Sequence, residues 1–75
     1  MKTLEAWYGV PPDREGPVVQ LFLADGGPQW GEVVASGGRL VLEVFPPAPG
    51  VVLSLPVDEL LEVLRLAQDR LSEDA

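Results

Sequence analysis

The hydrophobic pattern divides the chain into a β-rich body of short apolar runs broken by Gly- and Pro-rich segments, up to residue 55, and a helical period after Pro56. Residues 3–8 (TLEAWY) set Leu4, Ala6 and Tyr8 on one side of a strand and Glu5 and Trp7 on the other. Residues 9–17 (GVPPDREGP) concentrate Gly, Pro and charge, which a central strand does not tolerate, and predict a loop. Further strands are expected at 17–23 (PVVQLFL), 29–35 (QWGEVVA) and 39–45 (RLVLEVF), with a last short one at 51–55 (VVLSL). DGGP at 25–28 and Gly37-Gly38 read as turns, and PPAPG at 46–50 as a strand terminator.

Pro56 then opens a helix over 57–72 (VDELLEVLRLAQDRLS), followed by an acidic end, 72–75, that should fray. Asp58, Glu59 and Glu62 lie in its first turns and Arg65 and Arg70 later, as the helix dipole favours. Val57, Leu60, Leu61, Leu64, Ala67 and Leu71 form one stripe with Val63 at its edge, while Leu66 points away. A helix of this length spans about 24 Å and a seven-residue strand about 23 Å. The expected architecture is therefore α+β: one domain over 1–75, an antiparallel β-meander of four to five strands with one C-terminal α-helix packed on one sheet face.

The turn at Gly37-Gly38 fixes a register. If both glycines take positive φ in a two-residue hairpin loop, Ser36 pairs with Arg39, and Val34 with Val41, Glu32 with Glu43 and Trp30 with Phe45 follow. Ala35, Leu40, Val33, Leu42, Gly31 and Val44 then share the face under the helix. Pairing Leu23 with Gln29 around a five-residue loop adds Val19, Leu21 and Leu23 to that face. A four-residue loop would set Leu21 against Glu32 and is rejected.

On the opposite face this register predicts three ribs: Phe22, Trp30 and Phe45; Gln20, Glu32 and Glu43; Val18, Val34 and Val41. Two of the three are apolar where a single-layer sheet usually shows water a polar face. A patch of that kind needs a cover. The N-terminal segment and the proline loop could fold over it, or a second copy of the chain could dock there; self-association is the expectation, with these nine residues as the candidate interface. Glu32 and Glu43, side by side, either splay into water near the sheet edge or call for a cation, which Arg14 or Arg39 of a second copy or a basic partner protein would supply.

Composition narrows the chemistry. Seventy-five residues make one small domain, and a chain of this size buries only about 60% of its unfolded surface, which favours oligomerisation as a source of stability. There is no Cys and no His, so thiol and imidazole catalysis and the usual zinc, copper and haem ligand sets are missing. No cofactor is expected. A hard ion between Glu32 and Glu43, with Gln20 as a third ligand, would be mostly hydrated and weakly held. The same pair is the one constellation that resembles a carboxylate hydrolase, but a flat sheet face rarely forms the pocket such chemistry needs.

Five basic residues against twelve acidic ones give a net charge of -7, which repels nucleic acid and anionic membranes. No apolar run approaches the roughly 18–20 residues needed to span a bilayer, and no basic segment leads into one, so the expected location is the cytoplasm. The absence of Asn and Cys and the single Met fit a thermophilic source. The expectation is a non-enzymatic acidic interaction module that forms a homodimer. An antitoxin-like or inhibitory binder of a basic protein is the alternative, and a carboxylate hydrolase the third.

Overall fold

The structure, a computed structural model, describes residues 2–45 and 48–72. Strands β1 (Leu4–Gly9), β2 (Val18–Leu23), β3 (Gln29–Ser36) and β4 (Arg39–Val44) are followed by helix α1 (Val57–Ser72). The strands form one antiparallel sheet in the order β1-β2-β3-β4, and the helix packs on one face. This is the expected α+β meander, with the first strand now placed at the edge beside β2. Pro46, Pro47 and the acidic end, 73–75, lie outside the described residues. No helix among the described residues is long and apolar enough to cross a membrane.

The hairpin between β3 and β4 follows from its two glycines. Gly37 and Gly38 have φ of 59° and 82°, the left-handed conformation that the tight turn demands. Ser36 pairs with Arg39, and Val34–Val41, Glu32–Glu43 and Gly31–Val44 follow as the sequence predicts.

The turn between β2 and β3 departs from expectation. Leu23 N–H donates to Pro28 O at 3.1 Å and Phe22 pairs with Gln29, so the loop is one residue shorter than expected. Asp25 and Gly26, both at positive φ, carry it round. The register nevertheless returns to Leu21–Gly31, Gln20–Glu32 and Val19–Val33, because the ladder slips by one residue at Trp30. A short loop and a bulge each shift the pairing by one, and the two cancel.

The bulge also breaks the alternation that put Trp30 on the outer face. Trp30 is 2% exposed and belongs to the buried cluster formed by Leu4, Val19, Leu21, Val33 and the helix residues Val63, Ala67 and Leu71. It is a core residue and not the interface anchor that strict alternation suggests. Beside it, Gly31 sits where a side chain would be tight: an added Cβ would stand 3.0 Å from Glu43 O.

Residues 51–55 form no strand. Leu53 and Leu55 turn inward onto the core while Val51, Val52 and Ser54 stay exposed, so the alternation there records an inside and an outside without a ladder. The segment leads from β4 at one edge to α1, which packs chiefly against β1 at the other.

The helix is turned relative to its predicted stripe. Val63, Ala67 and Leu71 are buried and Leu60 and Leu64 half-buried, whereas Val57 and Leu61 are exposed. Its position is pinned by Glu59, whose carboxylate accepts from Thr3 N (2.6 Å), Thr3 Oγ1 (2.8 Å) and Leu4 N (3.1 Å). These donors, the Thr3 amide foremost, hold the Glu59 carboxyl below its ordinary value. On the solvent side Arg70 lies over the Tyr8 ring, 5.9 Å from its centroid.

Because Trp30 fills the core, Trp30→Ala is expected to cost about 3–5 kcal/mol in urea unfolding, from lost burial and the cavity left behind. A change below about 1 kcal/mol would contradict its placement.

Candidate functional site

The face of the sheet opposite the helix gathers the residues that carry charge in unusual company. Trp7, Gln20, Glu32 and Glu43 stand in one row across all four strands, since Trp7 pairs with Gln20, Gln20 with Glu32 and Glu32 with Glu43. Beside this row lie Val18, Val34 and Val41. Two neighbouring carboxylates in a sheet repel, and Glu32, 6% exposed, is nearly shut off from the water that would screen it.

Arg14 resolves this. The loop between β1 and β2 turns at residues 11–14, where Arg14 N–H donates to Pro11 O at 3.1 Å, and lays the guanidinium over the row. Arg14 Nη2 donates to Glu43 Oε1 at 2.9 Å. Arg14 Nε stands 3.1 Å from Glu32 Oε1, close enough for an ion pair although not aligned as a hydrogen bond. Gln29 Nε2 supports the other oxygen, Oε2, at 3.4 Å. The charge of Glu32, and next the hydrogen bond to Glu43, hold Arg14 still more firmly protonated than a free guanidinium.

The cation expected from a second copy or a basic partner thus comes from the same chain. The same loop shelters part of the valine row: Val18 is 3% and Val34 9% exposed. Between loop and sheet lies an open concavity of about 570 Å³ bordered by Arg14, Pro17, Val34, Val41 and Glu43. The place a divalent ion would take between Glu32 and Glu43 is occupied by Arg14, and no group of three or more acidic residues is arranged to hold a metal ion among the described residues.

The nine candidate interface residues therefore divide. Trp30 is in the core, Val18, Val34 and Glu32 are buried, and Gln20 and Phe22 are half-buried. Val41, Glu43 and Phe45 remain accessible, all at the β4 side. Sequence reasoning did not single out Leu42, Val44 and Leu61 as surface residues, because it placed Leu42 and Val44 under the helix and Leu61 in the helix's buried stripe. Leu42 and Leu61 instead border a shallow groove between β4 and α1 with Leu40 and Leu64. The widths of the elements hold the missing signal: a helix about 10 Å across cannot span four strands spaced about 4.8 Å apart, and α1, lying toward β1, leaves β4 bare.

Comparison of the chain with protein-family models, curated proteins and solved structures found no match.

If Arg14 holds the loop over Val18 and Val34, Arg14→Gln should lower the thermal midpoint and raise the fluorescence of a dye that binds apolar surface. An unchanged midpoint together with unchanged dye binding would show that the loop is held by something else.

Proposed function

We propose that this protein is a non-enzymatic, acidic interaction module that acts in the cytoplasm by self-association. One observation carries the reading. Val41, Leu42, Val44 and Phe45 are exposed together at one edge strand, and the exposed Leu61 borders the same strip from the helix. Edge strands of monomeric proteins are usually guarded by lysines, prolines or bulges. β4, with the sequence RLVLEV, has no lysine or proline, and its ladder to β3 runs without a bulge.

The pairing with Arg14 favours self-association over a basic partner, since Glu32 is already answered within the chain and Glu43 keeps only one oxygen for a further cation. It also weighs against a carboxylate hydrolase, whose acid and base must be free to exchange protons with substrate. The net charge of -7 further disfavours partners rich in phosphate.

Sedimentation velocity across micromolar concentrations tests the proposal. The expected result is a mass twice that of one chain, falling toward a single chain on dilution. A single-chain mass throughout the range would contradict it.

A further inference from the structure

Strand β4 has a free backbone edge whose polarity can be read from its other side. Phe45 N–H donates to Trp30 O at 2.7 Å, and Ser36 pairs with Arg39 at the hairpin. In an antiparallel ladder the inward-bonded residues alternate, so Arg39, Val41 and Glu43 turn their backbone groups toward β3. Leu40, Leu42 and Val44 turn theirs outward, to the unpaired edge.

We infer that a second copy of this chain pairs with that edge, β4 against β4, with Val41 opposite Val41 across a two-fold axis. This rests on the self-association proposed above and supplies its surface and register. An antiparallel strand paired with itself is isologous, so the contact closes at two copies. Only registers that match outward groups with outward groups are available; those centred on Val41 and Leu42 pair five of the six residues of β4 with β4, and those centred on Leu40 and Glu43 pair three.

Charge selects among the four. Centring on Val41 sets Arg39 opposite Glu43 of the second copy, twice by symmetry. Centring on Leu42 sets Arg39 against Phe45 and Glu43 against Val41, centring on Leu40 sets Glu43 against Gly37, and centring on Glu43 sets that carboxylate against its own copy. Arg39 makes no ion pair within the chain among the described residues. Glu43 gives Oε1 to Arg14 and retains its second oxygen. In the selected register the Arg39–Glu43 and Val41–Val41 pairs fall at the closer, non-hydrogen-bonded positions, where cross-strand side chains interact most.

The helix face agrees. Leu40 meets Leu42 of the second copy there, and both helices lie on the same side of one continuous sheet. The groove lined by Leu40, Leu42 and Leu61 is then bordered by a helix on each side. The other edge strand, β1 (LEAWYG), has Glu5 as its single charge and offers no such self-complement.

The chain has no cysteine, so a single introduced thiol reports the register directly. Val41→Cys should form a disulfide-linked dimer on mild oxidation, while Leu42→Cys, which faces Leu40 in this register, should cross-link poorly. Arg39→Glu, which turns two attractive pairs into two repulsive ones, should weaken dimerisation roughly tenfold or more by sedimentation. Arg39, Val41 and Leu42 are all exposed, and circular dichroism checks that the variants fold. A dimer that survives Arg39→Glu unchanged, or that cross-links through Leu42→Cys in preference to Val41→Cys, overturns the register and leaves self-association standing. A wild-type chain that never exceeds a single-chain mass overturns both.

Discussion

One guanidinium between two carboxylates organises the face of the sheet that the helix does not reach. Glu32 and Glu43 sit on neighbouring strands because the Gly37-Gly38 turn leaves them no other register. Unanswered, they would repel, and Glu32 would be a buried charge without compensation. Arg14 lies between them and brings its loop down over Val18 and Val34. The result is a strand β3 that is buried without interruption from Trp30 to Val34, with α1 on one side and the loop on the other. A small chain without disulfides thereby covers both faces of β3, one of its two interior strands, from Trp30 to Val34.

The same economy has a limit set by width. A single helix, held toward β1 by the bonds from Thr3 and Leu4 to Glu59, cannot also shelter β4. Leu42, Val44 and Leu61 are left at the surface beside an open strand edge. The surface proposed for assembly is therefore a consequence of how the fold is built: a sheet wider than its helix, with its loop spent on the other face. The alternation of Arg39, Val41 and Glu43 along that edge makes it complementary to itself.

Much of this was legible from residue order. Val57–Ser72 is helical because Pro56, the early acids and the apolar period agree, and the β3–β4 ladder follows from two glycines. The Trp30 bulge was not legible, because a loop one residue shorter and a bulge one residue long produce the same pairing beyond Leu21 that a longer loop would. Val63 looked peripheral because the projection shows the apolar arc of a helix but not which strands it will lie on. Residues 51–55 alternate like a strand because Leu53 and Leu55 face the core, which a crossing segment satisfies as well as a ladder does. Arg14 carried the right charge, but nothing periodic ties it to Glu43, 29 positions away.

The most direct test of this account is a double-mutant cycle on Arg14 and Glu32, built from Arg14→Gln, Glu32→Gln and the double variant, with unfolding by urea as the readout. If the guanidinium compensates a buried carboxylate, either single change destabilises the fold and the double variant loses clearly less than the sum of the two. Simple additivity would contradict it, because it would mean that the two groups do not feel one another and that the loop closes over the sheet for another reason.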